Sequence, residues 1–234
     1  ATKAVVFDKN GKVISRSSIG HQQFYPQPDW VEHDPEEIYR NTQKAILKVI
    51  NDSGLKKDDI AALAITNQRE TVVVWDRKTG KPVYNAVVWQ CQRGADICKK
   101  FRDQGYETMI RSKTGLIIDP YFSASGVKWI LDNLDGAMVK ARAGDLLLGT
   151  IDSWLVWKLT GGKVHVTDYS NACRTMLFNI HECTWDKDIA GLFGIPMSMF
   201  PEVKFSDEVV GYIQTQKNFN LDFPISGIMG DSHA

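Results

Sequence analysis

The side chains best suited to chemistry lie in the run Asn67-Gln68-Arg69-Glu70-Thr71. This run directly follows the apolar stretch 61–65, whose composition predicts a buried strand. The end of a buried strand is where α/β sheets usually hold their ligands. Arg69 offers a planar fork of donors and Glu70 offers acceptor oxygens, so the pair suits a polyol, whose hydroxyls both donate and accept. Judged from the local sequence alone, a structural ion pair is an equally good interpretation.

Two aromatic residues stand at similar positions. Trp89 ends the apolar run 85–88, where it would serve either as core or as a wall for the carbon side of a small polyol. Tyr121, in Asp119-Pro120-Tyr121-Phe122-Ser123, precedes a predicted helix. Its hydroxyl would reach a ligand, although an aromatic residue before a helix more often packs against it. Neither residue is specific by itself.

A third candidate is Gly230-Asp231-Ser232, which follows the apolar strand predicted at 225–229. Glycine lets the chain approach a phosphate closely, and an aspartate just beyond a strand can face a reaction centre. A Gly-Asp pair is common in turns, so this signal is weak alone.

The elements that would position these residues alternate between strand and helix. Residues 4–8 and 13–24 predict a hairpin around Asn10-Gly11. A helix follows, with Asp34 as cap, Pro35 in its first turn, Glu37 placed for a capping box and Gly54 as its stop. Further strands are predicted at 60–66, 72–75, 84–89 and 225–229, and further helices at 94–102, 123–134 and 152–159. This order predicts an α/β fold with a mixed β-sheet flanked by helices.

Composition excludes several classes of partner. The 28 basic and 28 acidic side chains balance, so no field attracts nucleic acid or an anionic membrane, and no apolar run approaches the length of a membrane span. The four cysteines form no Cys-x-x-Cys pair, which predicts reduced thiols in a cytoplasmic protein. The sequence His181-Glu182-Cys183 is better interpreted as a surface turn than as a metal site.

Taken together and in order, several motifs carry a resemblance that single ones do not. The chain resembles the glycerol kinases of the FGGY carbohydrate kinase family through Asn67-Gln68-Arg69-Glu70-Thr71, Val88-Trp89-Gln90, Thr114-Gly115-Leu116, Asp119-Pro120-Tyr121-Phe122-Ser123, the block 149–162, Thr167-Asp168-Tyr169-Ser170-Asn171-Ala172 and Gly230-Asp231. The resemblance implies a ribonuclease-H-like domain of the actin-like ATPase class, and ATP-dependent phosphorylation of glycerol to sn-glycerol 3-phosphate. The alternatives are another FGGY sugar or polyol kinase, or a non-catalytic fragment of one.

The resemblance also implies the roles of the site residues. Arg69 and Glu70 would hold glycerol hydroxyls, Trp89 would pack on the carbon chain, and Tyr121 would hydrogen-bond a hydroxyl. Asp231 would be the general base, would contact the substrate, and would help to hold Mg²⁺. We expect these five side chains to converge on one cleft.

For the nucleotide, the resemblance implies ATP with Mg²⁺, contacted by Gly230 and by Thr2 and Lys3, which look like the remainder of a phosphate loop. Residues 1–234 would form the glycerol-binding N-terminal domain, without its first, central strand and without a C-terminal ATP-binding domain. The chain alone is therefore expected to be inactive, and the parent enzyme is expected to be a homo-oligomer.

The chain departs from the family pattern at several further places, among them the stretch 92–94 after the tryptophan. Gly126 stands where a lysine is usual, and Ser232-His233 stands where two glutamines are usual. The loop 214–222 lacks the residues that resemble an effector site for a sugar bisphosphate.

Overall fold

The computed structural model describes residues 1–214 and 221–234. Most of the loop 214–222, for which the sequence predicts no effector site, therefore lies outside the described residues. Within the described part of the chain, no helix combines the length and apolarity needed to cross a membrane.

The strands form small ladders rather than a single continuous sheet. In chain order they are β1 Thr2–Phe7, β2 Val13–Ile19, β3 Glu32–His33, β4 Leu63–Asn67, β5 Val72–Asp76, β6 Ala86–Val87, β7 Leu146–Thr150, β8 Val166–Asp168, β9 Phe178–Asn179, β10 Thr184–Trp185, β11 Glu202–Lys204, β12 Gly211–Tyr212 and β13 Pro224–Gly230.

The helices are interspersed with these strands along the chain. They are α1 Pro35–Ser53, α2 Ala95–Asp103, α3 Glu107–Thr114, α4 Ser123–Asn133, α5 Ala137–Arg142, α6 Ile151–Leu159, α7 Tyr169–Ala172 and α8 Lys187–Phe193, with 3₁₀ turns at Lys57–Asp59 and Met197–Met199.

Sheet pairing is mixed, as predicted. Strand β13 runs parallel to β4 and antiparallel to β12. A second, antiparallel sheet has the order β3-β6-β5-β7. The hairpin β1–β2 forms a sheet of its own. Among the described strands β1 pairs only with β2, and the edge of β4 opposite β13 has no partner; the expected absence of a central strand stays a prediction.

Two buried clusters hold these sheets to the helices. One joins α1 and α6 to β4, β5 and β13, and centres on Trp75 and Trp154, which are fully buried. The other joins α4 and α8 to the opposite side of the β3-β6-β5-β7 sheet. Both faces of β5 are consequently buried, which explains its uninterrupted apolar sequence Val72-Val73-Val74-Trp75.

Most predicted elements are present, with shifted bounds. The Asp34 side chain accepts from the backbone N–H of Glu36, and Gly54 ends α1 at φ 71°, as expected. Glu37 does not complete a capping box; its carboxylate instead accepts from the backbone N–H of Gln22. The second strand of the first hairpin ends at Ile19 rather than at residue 24, because the chain there leaves β1 and Phe24 bridges to Glu32.

Candidate functional site

The parallel pairing of β4 and β13 brings two predicted site segments together. Gly230 lies opposite Asn67 in the register, and the backbone N–H of Asp231 donates to the Asn67 carbonyl at 3.0 Å. Both strands thus end at the same edge, which is where side chains from separate strands meet in an α/β sheet. Arg69 Nε lies 3.6 Å from Asp231 Oδ1, so the two residues share one face.

Gly230 is required by the path of the Arg69 side chain. A β-carbon at residue 230 would overlap Cδ and Cγ of Arg69, so no other residue type fits there without displacing the arginine. Arg69 then continues over the turn and donates through Nη2 to Ser232 Oγ at 2.9 Å. Its side chain is 13% exposed, whereas that of Asp231 is 55% exposed. The aspartate is therefore the more accessible member of the pair.

Glu70 adopts an unusual backbone conformation for its residue type. Its φ is 62°, in the left-handed region that non-glycine residues rarely enter. Two hydrogen bonds hold this turn: the Thr71 N–H donates to the Arg69 carbonyl at 2.6 Å, and Ser123 Oγ donates to the Glu70 carbonyl at 2.8 Å. Strain of this kind persists only where the surroundings enforce it, and it clusters at functional sites.

The Glu70 carboxylate is buried and paired. Its side chain is 3% exposed, and its Oε1 accepts from Arg174 Nε at 2.7 Å. Burial raises the pKa of Glu70, while the hydrogen bond and charge of Arg174, and then the charge of Arg69, oppose that rise. Arg174 therefore offsets part of the rise in pKa that burial causes in this carboxyl group.

The predicted aromatic residues flank the same carboxylate. The rings of Trp89 and Tyr121 lie 5.3 Å apart, inclined at 56°. Glu70, Trp89 and Tyr121 line a shallow cleft that is partly open to solvent. An apolar wall beside a buried acceptor suits a ligand with a carbon chain and hydroxyl groups.

Gly126 explains how α4 reaches this cleft. A β-carbon at residue 126 would come within 3.2 to 3.3 Å of Val87 and Val72, so glycine lets the helix lie directly on β5 and β6. The departure from the expected lysine is thus accommodated by close helix–sheet packing, which carries Ser123 to the Glu70 carbonyl.

A buried polar network lies beneath the strand ends. Asn67 and Asn171 exchange side-chain hydrogen bonds at 3.0 and 3.1 Å, and Asn171 Nδ2 also donates to Asp168 Oδ1 at 2.8 Å. Asp168 Oδ2 accepts from Ser170 Oγ at 2.6 Å, and that hydroxyl accepts from the Gly230 N–H at 2.8 Å. The network therefore links the ends of β4 and β13 through side chains as well as through backbone pairing.

Asp152 extends the network below Asn67, and no cationic side chain of residues 1–214 or 221–234 forms an ion pair with it. It is fully buried and accepts from the hydroxyls of Thr150 and Thr167 and, at 3.4 Å, from Asn67 Nδ2. Burial raises the pKa of Asp152 to about 6, more than its hydrogen bonds lower it. The folded protein thus binds a proton here between about pH 4 and pH 6, where the unfolded chain does not.

This difference predicts a pH-dependent effect of Asp152→Asn. A pKa that is raised in the folded state lowers the free energy of unfolding as pH rises through that window. The free energy of unfolding of the variant, relative to that of the parent protein, should therefore increase from pH 4 to pH 6. The gain is about 3 kcal/mol for a shift of roughly two units. Urea unfolding of the full-length protein at several pH values measures it. Burial lowers the pKa values of His33 and His165 to about 4. Both histidines affect the free energy of unfolding equally in the variant and in the parent protein, so they do not contribute to the difference between the two. The exposed Asp207→Asn is the control, and a pH-independent difference for Asp152→Asn would contradict the prediction.

Of the eight predicted site residues, six, Gly230 among them, lie at the strand ends or around the cleft beside Glu70, and two lie apart. Arg69 and Asp231 form one pair, and Glu70, Trp89 and Tyr121 line the adjoining cleft; their roles stay predictions. Thr2 and Lys3 lie on β1, which packs on α1. Within the described residues, no hydrogen bond or ion pair joins them to the strand-end site, and their contact with nucleotide stays a prediction.

Sequence reasoning missed Arg174 and Ser123 as parts of this site. Arg174 lies 104 residues from Glu70, and no local pattern marks it beyond its place just after the motif 167–172. In the sequence, Ser123 ends an aromatic motif and begins a predicted helix, and neither feature indicates that its hydroxyl donates to the Glu70 carbonyl.

The chemistry of the donors allows a particular kind of cation. Within residues 1–214 and 221–234, no group of three or more His, Cys, Asp or Glu side chains could hold a metal ion by itself. The exposed carboxylate of Asp231 offers one ligand at the strand ends. This fits Mg²⁺, which takes one or two carboxylates and completes its shell with waters and substrate phosphates.

Comparison with known proteins shows what the whole chain is similar to. The N-terminal domain of the FGGY family of carbohydrate kinases matches residues 1–234. The protein named glycerol kinase 1 of Thermotoga maritima is 56% identical over 234 residues, covering 100% of this chain and 47% of the relative. A glycerol kinase of Vibrio cholerae is 52% identical, covering 100% of this chain and 46% of its own length. The chain spans about half the length of the curated relatives it matches.

Solved structures agree with the predicted fold. The crystal structure of Plasmodium falciparum glycerol kinase with ADP superposes with a TM-score of 0.92 at 34% identity, covering 98% of this chain and 46% of that one. Gluconate kinase from Lactobacillus acidophilus superposes with a TM-score of 0.84 at 22% identity, covering 99% and 46%, which shows the fold alone. The expected α/β domain of the actin-like ATPase class, with helices flanking mixed sheets, is confirmed.

Proposed function

The chain belongs to the FGGY family of carbohydrate kinases, and on this premise we propose that its protein transfers the γ-phosphoryl group of ATP to glycerol, giving sn-glycerol 3-phosphate. The observation that carries the proposal is the Arg69–Asp231 pair at the ends of β4 and β13, next to Glu70, whose buried carboxylate lines a cleft with Trp89 and Tyr121. Relatives named glycerol kinase, 52 to 56% identical over the whole chain, support the choice of substrate.

In this proposal the substrate lies along the aromatic wall. The carbon chain packs on Trp89, beside the Tyr121 ring 5.3 Å away. Glu70 accepts a hydrogen bond from one hydroxyl, and Arg69 and the Tyr121 hydroxyl bind others. Charge-assisted bonds to Glu70 and Arg69 fix the substrate in one orientation, which is most of what phosphoryl transfer requires of a protein.

Asp231 acts as the general base. It accepts the proton of the attacking hydroxyl while that oxygen bonds to the γ-phosphorus and the bond to the β-phosphate oxygen breaks, releasing ADP. Arg69 Nε lies 3.6 Å away and places a positive charge beside this carboxylate. The exposure of Asp231 lets both a hydroxyl and a phosphate approach it.

Mg²⁺ and ATP supply charge neutralisation and the phosphoryl group when bound. Asp231 would be the carboxylate that holds the cation, and the backbone at Gly230 would face the phosphates. Thr2 and Lys3 would contribute to phosphate binding together with residues outside this sequence. We further propose that this chain is the substrate-binding half of a protein as long as its relatives, which assembles as a homo-oligomer and works in the cytoplasm.

The proposal is tested by following phosphoryl transfer in the full-length protein. With ATP and Mg²⁺ we expect glycerol to be phosphorylated at its terminal carbon, with a kcat/KM well above those for xylulose and gluconate. Phosphorus NMR identifies the product, and the variant Asp207→Asn, at an exposed aspartate, serves as a control that keeps full activity. A higher kcat/KM for a sugar, or no transfer to any polyol, would contradict the proposal.

A further inference from the structure

We propose that Arg174 is a positioning residue of the polyol site, which acts on the substrate only by holding the Glu70 carboxylate. This inference rests on the proposed function, since it assigns Arg174 a part in the binding that Glu70 performs there. Within the described residues, Arg174 forms no hydrogen bond or ion pair with Arg69 or with Asp231, the predicted proton acceptor; its bond is to Glu70.

The contact itself is a single hydrogen bond. Arg174 Nε donates to Glu70 Oε1 at 2.7 Å. Among the described residues, no side chain or backbone group donates to the other oxygen, Oε2. Oε1 is therefore held by the protein, and Oε2 is available to accept a hydrogen bond from a ligand hydroxyl. A binding carboxylate oriented by a supporting residue is expected to have this arrangement.

Arg174 also ties the acid to the aromatic wall. Its guanidinium carbon lies 5.0 Å from the centre of the Phe122 ring and 5.8 Å from that of Tyr121. A planar guanidinium stacks on such rings while its edge donates to a carboxylate. Glu70 and Tyr121, which come from separate elements, are thus fixed relative to each other by one side chain.

Glu70 needs this support because its position is costly in two ways. Its side chain is 3% exposed, which disfavours a charge, and its backbone φ of 62° is strained. Arg174 contributes the largest effect that opposes protonation of Glu70, ahead of Arg69. A carboxylate kept ionised accepts stronger hydrogen bonds than a protonated one does.

The experiment is a double-mutant cycle in the full-length protein. It combines Arg174→Met, which replaces the aliphatic part of the side chain but removes the guanidinium with its charge and donors, with Glu70→Gln. We expect Arg174→Met to raise KM for glycerol by about tenfold to a hundredfold, the effect of losing one hydrogen bond to a charged group. The kcat should change by less than about threefold, since binding of this hydroxyl is the same in the ground and transition states. In the Glu70→Gln background, Arg174→Met should raise KM no further.

Two further variants separate positioning from stability. Because the contact uses one N–H rather than a fork, Arg174→Lys keeps a charged donor and should recover most of the lost affinity. Arg77→Met removes another arginine, one that donates to the Ser198 carbonyl on the surface, and should leave KM unchanged. Thermal unfolding of each variant shows that it is folded; if Arg174→Met does not fold, Arg174→Gln, which also removes the charge, replaces it in the cycle with and without Glu70→Gln.

The outcomes distinguish this inference from the proposed function. An Arg174→Met effect on KM that is equally large with Gln at residue 70 would overturn the inference, as would a fall in kcat at constant KM. If Glu70→Gln raises KM and Arg174→Met does not, only the inference fails. If Glu70→Gln itself leaves KM for glycerol unchanged, the proposed polyol site fails.

Discussion

Replacing Asp231 by asparagine is expected to lower kcat for glycerol phosphorylation by about 10²- to 10⁴-fold while KM changes far less. Asparagine keeps the size of the side chain but cannot accept the proton of the attacking hydroxyl. The effect should fall on kcat because Glu70 and Arg69, rather than Asp231, supply most of the proposed substrate binding. Steady-state kinetics of the full-length protein with glycerol and ATP measure both constants.

One control variant and the exposure of Asp231 make the result interpretable. Asp207→Asn changes an exposed aspartate outside the cleft and should behave like the parent protein. Loss of the ion pair with Arg69 is not expected to unfold the protein, because Asp231 is 55% exposed and exposed pairs contribute little stability. A near-normal kcat in Asp231→Asn would show that another group takes the proton.

The second large effect concerns a substrate that lacks one hydroxyl. Propane-1,3-diol should be phosphorylated with a kcat/KM roughly 10⁴-fold below that of glycerol. The side chains of Glu70 and Arg69 are 3% and 13% exposed, so a missing hydroxyl leaves them neither a ligand nor free access to water. Competition between the two substrates for limiting ATP measures the ratio.

This discrimination should depend on Glu70. In Glu70→Gln the buried charge is gone, so the ratio between glycerol and propane-1,3-diol is expected to shrink. Equal turnover of the two substrates by the parent protein would show that the cleft does not recognise the middle hydroxyl.

Local signals in the sequence are enough to predict the strand ends and the helix caps. The pattern at 61–71 predicts polar groups after a buried strand, and Asp34 and Gly54 occupy their expected places at the ends of α1. These features depend on neighbouring residues alone, so they can be predicted from the sequence. The convergence of Arg69 with Asp231 needed one more assumption, that the two strands run parallel in the same sheet.

Contacts between distant segments could not be predicted in this way. Glu37 has the right spacing for a capping box, yet it accepts from Gln22, because the chain before α1 folds back over the helix start. Asp152 lies in a recognised motif, but its bonds to Thr167 and Asn67 depend on how α6 packs beneath β4. The pairing of Glu70 with Arg174 likewise depends on tertiary structure and has no counterpart in local propensity.

The left-handed backbone conformation of Glu70 lowers the stability of the protein, whereas the glutamate side chain is needed for the proposed activity. Glycine at residue 70 would relieve backbone strain of about 1 kcal/mol or more and would remove a carboxylate whose burial is costly. Arg174, 28% exposed, could then turn toward water. Directed evolution for heat resistance alone would therefore tend to discard this glutamate, whereas selection for growth on a polyol would retain it.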